Sequence, residues 1–193
     1  MSRLQWSDKV RVEPSIESYL WAAYVRNGVL WAVFDIENTL ERLSKSGRKE
    51  LSDATIQYLL HLHQEYGLGI CLATNSTSDF GYMLLQLYHA GIPASHLRFF
   101  QPRKASRWKR KWPVKRMDIY WRSVATICEC QPWQMVMAGD KLLHDIKPAL
   151  KAGFYAAIWV APLGDDLTFE FVRRWYESLV RHWYSLPKPQ LSP

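Results

Sequence analysis

The sequence contains few cysteines and no long apolar segment. Its three cysteines, Cys71, Cys128 and Cys130, lack C-x-x-C spacing and are expected to be reduced thiols in a cytosolic-type compartment. Five of the six histidines also lack metal-ligand spacing and are predicted to be structural or at the surface: His61, His63, His89, His96 and His144. No uncharged apolar run reaches the roughly 18 residues of a membrane-spanning helix, and residues 1–14 lack the apolar core of a signal peptide. We therefore predict a soluble cytoplasmic protein, or one peripheral to a membrane.

Acidic side chains are scarce relative to basic ones. The chain has 18 Asp and Glu against 25 Lys and Arg, a formal net charge of +7 and a pI near 9.4. This excess favours contact with phosphate, nucleic acid or a lipid head-group surface, and charge alone does not choose among them. The length of 193 residues fits one domain. We predict that it spans residues 1–185, with an N-terminal extension at 1–13 and a flexible proline-rich tail at 186–193.

Short apolar runs alternate with helical patterns along the chain. Five buried strands are predicted, at residues 29–34, 68–73, 96–101, 135–138 and 154–160. Apolar residues at helical spacing predict helices at residues 14–28, 52–67, 79–91, 113–128, 148–153 and 168–183. Strands that alternate with helices form parallel βαβ units with right-handed crossovers. The sequence therefore predicts an α/β fold with an open, doubly wound parallel sheet.

Three of the predicted strands end in polar side chains. The pairs at these strand ends are Asp35 and Glu37, Thr74 and Asn75, and Asp140 and Asp145. Each pair alone also fits a surface turn or a helix cap. In open parallel sheets, however, ligands bind at the carboxyl ends of the strands, so all three pairs are expected on one edge. Because charge is costly to bury, acids placed directly after a buried strand are expected to have a metal, a cation or open solvent nearby.

These motifs, in this order, resemble those of the haloacid dehalogenase (HAD) superfamily of phosphatases. Its first motif, D-x-D-x-T, is similar to Asp-Ile-Glu-Asn-Thr at 35–39, and its second motif is similar to Thr74-Asn75. Lys115 is similar to its third motif, and Gly139-Asp140 with Asp145 is similar to its acidic fourth motif. The resemblance spans about residues 14–185 and implies a three-layer α/β/α HAD-like Rossmannoid fold. Because residues 40–51 have room only for a loop, no sizeable cap domain is expected.

More narrowly, the chain resembles the type IIIA branch of YqeG-like proteins and mitochondrial phosphatidylglycerophosphate phosphatases. The markers are D-x-x-N-T-L at 35–40, a lysine 25 positions before Asp140, the five-residue step to Asp145, and a basic terminal helix around Arg173-Arg174. An uncapped, open site suits a bulky phosphomonoester better than a small metabolite that needs a lid. By resemblance, phosphatidylglycerophosphate fits that description.

The resemblance implies hydrolysis of phosphomonoesters through an aspartyl-phosphate intermediate. Asp35 would attack phosphorus, and Glu37 would protonate the leaving oxygen and then activate water. Lys115 and the Thr74 hydroxyl would hold the transferring phosphate, and Asn75 would support that loop.

The resemblance also implies a Mg2+ cofactor. Its protein ligands would be the carboxylates of Asp35 and Asp140 and the main-chain carbonyl of Glu37. Asp145 would be a further ligand or would orient a metal-bound water. Thr39 is expected to orient the first motif.

Two residues leave alternatives open. Glu37 stands where the family has aspartate, and its extra methylene displaces the carboxylate by up to ~1.5 Å, which can cost about a hundredfold in rate. The alternative function is a catalytically impaired HAD-like protein that binds a phosphorylated ligand or an anionic surface. At the third motif, Lys104 and Lys111 are alternatives to Lys115.

The strongest basic cluster runs from Arg103 to Arg116 and contains Trp108 and Trp112. We predict a loop at 102–113, for which three interpretations remain. In order of preference, they are a solvated loop that attracts phosphate, a membrane-interface patch with both tryptophans at head-group depth, and a nucleic-acid surface. The oligomeric state is not indicated by any pattern.

Overall fold

The computed structural model describes residues 10–13, 21–40, 50–76, 80–101 and 118–160. Its strands are β1 (Val10–Glu13), β2 (Trp31–Asp35), β3 (Gly69–Ala73), β4 (Leu97–Phe100), β5 (Met135–Gly139) and β6 (Ala156–Val160). Its α-helices are α1 (Trp21–Arg26), α2 (Asp53–Tyr66), α3 (Gly81–His89), α4 (Asp118–Ile127) and α5 (Lys147–Ala152). A 3-10 turn at Ala94–His96 precedes β4, another at Pro132–Gln134 precedes β5, and a π-helical turn at Leu142–Ile146 precedes α5.

The six strands form one parallel sheet in the order β1-β6-β5-β2-β3-β4. From β2 in the centre of the sheet, the chain adds β3 and then β4 on one side. It then returns to form β5 on the other side of β2, with β6 next to β5. The winding direction therefore reverses between β2 and β5. In open parallel sheets, the crevice at such a reversal is where ligands bind.

Helices cover both faces of the sheet, and the central strands are buried on both sides. Every residue of β2, β3, β5 and β6 is buried, which explains their continuous apolar runs. On one face, α1, α2 and α3 pack around Trp21, Phe34 and Leu59. On the other, α4 and α5 pack around Trp121 and Phe154. This is the predicted three-layer α/β/α arrangement around a central parallel sheet.

The five predicted strands are confirmed, with ends that shift by up to two residues, and the structure adds a sixth. The additional strand is β1, which pairs in parallel with β6 from Val10 beside Ala157 to Glu13 beside Val160. The sequence alone predicts an N-terminal extension at these residues. A strand of four residues is too short to show a periodicity that distinguishes it from an extended terminal segment.

Both ends of α2 are capped, at the limits predicted for this helix. The Ser52 hydroxyl oxygen accepts a hydrogen bond from the Thr55 N–H at 3.1 Å, which caps the first turn. Gly67 ends the helix in the left-handed conformation, with φ of +67°, and its N–H bonds to the His63 carbonyl.

Several predictions lie outside the described residues. They are most of the loop at 40–51, the helix start at Asp79, the loop at 102–113, the basic cluster from Arg103 to Arg116 with Lys104, Lys111 and Lys115, the last helix at 168–183 and the tail at 186–193. In the part of the chain that the structure describes, no cap domain is present and no helix is both long enough and apolar enough to cross a membrane.

Candidate active site

Three buried carboxylates meet at the carboxyl ends of β2 and β5. Asp35 is the last residue of β2, Asp140 directly follows β5, and Asp145 lies in the π-helical turn that comes next. Because β2 and β5 are adjacent and parallel, with Phe34 beside Ala138, their ends bring the acids together. One ligand atom from each acid lies within 4.8 Å of the other two. All three side chains are buried, at 3% exposure for Asp35 and 0% for the others.

The π-helical turn places Asp145 against the end of β5. Its carboxylate Oδ2 accepts a hydrogen bond from the Lys141 N–H at 3.1 Å, and its own N–H donates to the Lys141 carbonyl at 2.9 Å. Gly139 makes this approach possible, since a Cβ there would lie 2.7 Å from the Asp145 Cβ. The glycine of the fourth motif is thus required by packing against the acid that follows it.

The peptide groups around Asp140 are held from two directions. The Asp140 N–H donates to the Thr39 hydroxyl oxygen at 3.1 Å, and this bond ties the first motif to the fourth. The Asp140 carbonyl accepts from the indole N–H of Trp159 in β6 at 3.0 Å. Both partners are buried, so these hydrogen bonds are shielded from water and fix the backbone that carries the carboxylate.

The first motif turns sharply after Asp35. The N–H of Leu40 donates to the Ile36 carbonyl at 3.0 Å, and Asn38 adopts a left-handed conformation with φ of +65°. Asparagine tolerates this region better than most residues with a side chain. Glu37 is partly exposed, in contrast to the buried Asp35, and its carboxylate is not one of the three clustered acids. The second acid of the motif therefore sits nearer to solvent than the first.

The second motif begins beside the first, because β3 pairs with β2 and Ala73 lies opposite Asp35. Thr74, 1% exposed, donates its N–H to the Phe100 carbonyl at 3.0 Å, and its own carbonyl accepts from the Tyr120 hydroxyl at 3.1 Å. The Thr74 hydroxyl oxygen accepts from the Ser76 N–H at 2.9 Å. Since a hydroxyl has one hydrogen and two acceptor positions, this bond leaves its hydrogen to donate to a ligand.

The donor set suits a hard divalent cation. Three like charges buried within 4.8 Å of one another repel strongly unless a cation or protons compensate them. Carboxylate oxygens are the ligands that Mg2+ and similar ions prefer. The carboxylates of Asp35, Asp140 and Asp145 can therefore hold a metal at this edge of the sheet.

The structure brings together Asp35, Asp140 and Asp145, with Thr74 beginning the adjacent loop, while Asn75 is exposed. Lys115 and its alternatives lie outside the described residues, so their role stays a prediction. The sequence alone does not indicate the roles of Trp159 and Tyr120. Both sit in ordinary apolar patterns, and their partners are 19 and 46 positions away, so no spacing signal could have identified them.

No protein-family model and no curated protein matches the chain. Among solved structures, an uncharacterized protein from Listeria monocytogenes serotype 4b is similar with a TM-score of 0.53 and 18% identity, over 72% of this chain and 84% of that one. It shares the fold. A cobalt-bound deoxy-D-mannose-octulosonate 8-phosphate phosphatase from Haemophilus influenzae has a TM-score of 0.49 and 11% identity, over 70% and 71% of the two chains. A magnesium-bound putative HAD-hydrolase, YfnB from Bacillus subtilis, has a TM-score of 0.41 and 19% identity, over 70% of this chain and 56% of that one.

Proposed function

We propose that the chain is a Mg2+-dependent phosphomonoester hydrolase with Asp35 as its nucleophile. The observation that carries the proposal is the cluster of three buried carboxylates at the point where the sheet reverses its winding. Asp35 comes from β2, and Asp140 and Asp145 follow β5. A bound Mg2+ would neutralise part of the charge that otherwise keeps a carboxylate away from a phosphate dianion.

The first half of the reaction transfers the phosphoryl group to Asp35. A carboxylate oxygen of Asp35 forms a bond to phosphorus while the bond from phosphorus to the ester oxygen breaks. The protonated carboxyl of Glu37 gives its proton to the departing oxygen. We assign to the Thr74 hydroxyl a hydrogen bond to a phosphate oxygen, and to Lys115 the fixed positive charge.

The second half returns the enzyme to its starting state. Glu37, now a carboxylate, takes a proton from water as that water attacks phosphorus, and the bond from phosphorus to Asp35 breaks. Inorganic phosphate leaves and Glu37 is again protonated. The partial exposure of Glu37 is compatible with a group that must exchange protons with substrate and water in turn.

Substitution of Asp35 by Asn tests the proposal. A panel of phosphomonoesters is assayed with Mg2+ for the unmodified chain, for Asp35→Asn and for Asp118→Asn, which removes an exposed acid on α4. We expect hydrolysis that Asp35→Asn abolishes and Asp118→Asn leaves unchanged. Equal activity in the Asp35→Asn variant would exclude the mechanism.

A second candidate function rests on Glu37. If the longer side chain misplaces the carboxyl group, the site binds phosphorylated ligands without turnover, and beryllofluoride with Mg2+ would still bind beside Asp35. Turnover by Glu37→Asp separates the two functions. A much higher turnover rate than that of the unmodified chain would favour the binding function, whereas a lower rate would mean that the site is adjusted to glutamate.

We propose a phosphate group carried by a lipid, such as phosphatidylglycerophosphate, as the substrate. Support comes from the absence of a cap among the described residues and from the basic, tryptophan-containing sequence at 103–116. We expect the chain to bind anionic vesicles more tightly than neutral ones, and the double substitution of Trp108 and Trp112 by Ala to weaken that binding. Tighter binding to single-stranded DNA than to vesicles would favour a nucleic-acid surface. If the chain prefers none of these partners, the solvated loop is the remaining interpretation.

A further inference from the structure

Two histidines from separate elements meet at the edge of the sheet opposite the carboxylates. His63 lies in the last turn of α2, which leads into β3, and His96 ends the 3-10 turn that leads into β4. Because β3 and β4 pair in parallel, the segments that precede them are neighbours. The two imidazole centroids are 5.0 Å apart, and both side chains are partly buried. The five residues of β3 separate this pair from the acidic cluster by roughly 13 Å of strand.

Each ring has its Nδ1 atom engaged with the protein. His63 Nδ1 is 3.0 Å from the Leu68 carbonyl oxygen. A carbonyl can only accept, so the hydrogen of a neutral His63 ring is on Nδ1 and the lone pair is on Nε2. His96 Nδ1 is 3.1 Å from the Ser95 hydroxyl, which can accept in the same way. Histidines that bind metals commonly anchor one ring nitrogen on the protein and coordinate through the other.

The separation of the two rings matches that of two ligands on one ion. With a metal–nitrogen distance of about 2.0–2.1 Å and about 1.1 Å from nitrogen to ring centre, two imidazoles at a tetrahedral angle have centroids about 5.2 Å apart. The observed value is 5.0 Å. The ring planes are inclined at 53°, so parallel stacking does not account for the approach.

We propose that His63 and His96 form a binding site for a transition metal ion of the Zn2+ class, with water or another exogenous ligand completing the coordination. Imidazole nitrogen selects Zn2+, Ni2+ and Cu2+, whereas carboxylate oxygens select Mg2+, so the two edges of the sheet would take different ions. The ion would link the end of α2 to the start of β4. The proposal does not depend on phosphatase activity, since it uses none of the residues at the carboxyl edge.

The proposal is tested by calorimetric titration of the chain with Zn2+. The buffer contains excess Mg2+ and a reductant without thiol groups. Excess Mg2+ competes with Zn2+ for the carboxylates but not for imidazole. We expect one binding event in the unmodified chain, weakened at least tenfold in His63→Gln and in His96→Gln. His61→Gln is the matched control, because His61 is an exposed residue on the same helix. Equal affinity in all three variants, or an equal loss in His61→Gln, would overturn the proposal.

A measurement on the unmodified chain avoids any effect of the substitutions on folding. Long-range 1H–15N spectra resolve the ring nitrogens of each histidine. On addition of Zn2+, the Nε2 resonances of His63 and His96 should move together, while those of His61 and His89 stay in place. Movement of other histidines with these two unchanged, or no movement at all, contradicts the proposed site.

Discussion

The indole N–H of Trp159 donates a hydrogen bond to the main-chain carbonyl of Asp140, with 3.0 Å between nitrogen and oxygen. Trp159 is 5% exposed and comes from β6, a strand that carries none of the clustered acids. The bond therefore couples a neighbouring strand to the backbone of a proposed metal ligand. Partners of this kind orient ligands without touching the ion.

Removing that N–H should weaken metal binding. Trp159→Phe keeps an aromatic ring but has no donor, and we expect affinity for Mn2+, used as a spectroscopic substitute for Mg2+, to fall about tenfold. Binding is measured by electron paramagnetic resonance of free Mn2+. Trp31→Phe is the control, since Trp31 is a buried tryptophan at the opposite end of β2 from Asp35. An equal loss in both variants would mean that general loosening of the core is responsible.

The hydroxyl of Thr39 should matter for stability through its bond to Asp140. Thr39→Val leaves the buried Asp140 N–H without its acceptor, and we expect the free energy of unfolding to fall by about 1–3 kcal/mol. Urea denaturation measures the change. Thr39→Ser retains the hydroxyl and should lose less. If serine costs as much as valine, the hydrogen bond does not account for the effect, because serine keeps the hydroxyl that accepts it.

Gly139 should be intolerant of any side chain because of Asp145. In Gly139→Ala the new Cβ would lie 2.7 Å from the Asp145 Cβ, so the acid must shift, and we expect a loss of about 1–3 kcal/mol together with weaker Mn2+ binding. Gly67→Ala supplies the comparison. Its cost is conformational, about 1 kcal/mol, because φ is +67° and no atom lies within 4 Å of the added Cβ. Mn2+ affinity unchanged in Gly139→Ala would contradict the proposed packing role.

Burial raises the pKa of the Cys130 thiol to about 12, and the neighbouring Cys128 contributes to the rise. An unfolded chain loses this proton near pH 8.5, so between that pH and about 12 the folded state binds more protons. The free energy of unfolding should therefore fall as pH rises above about 8.5. Urea denaturation at pH 7.5 and at pH 10 measures the fall, which should be smaller in Cys130→Ser. An identical fall in that variant would assign the effect to other groups.

The sequence predicted the acidic edge because the signal there is local. An apolar run that ends in a carboxylate is visible at Asp35, and the step from Asp140 to Asp145 needs only one short window. The partners that hold those acids were not predictable in this way. Trp159 reaches Asp140 through strand pairing, and the approach of His63 to His96 depends on two segments that only the sheet brings together. Such pairs are set by tertiary packing, which single-sequence periodicity does not encode.

The reversal of winding at β2 has a consequence for assembly. Asp35 is contributed by the first part of the chain, whereas Asp140 and Asp145 follow a strand that is synthesised much later. The three carboxylates can converge only after β5 has docked beside β2. During refolding, a metal ion would therefore bind at this position only after the two halves have joined. Its binding would stabilise the joined state over either half alone.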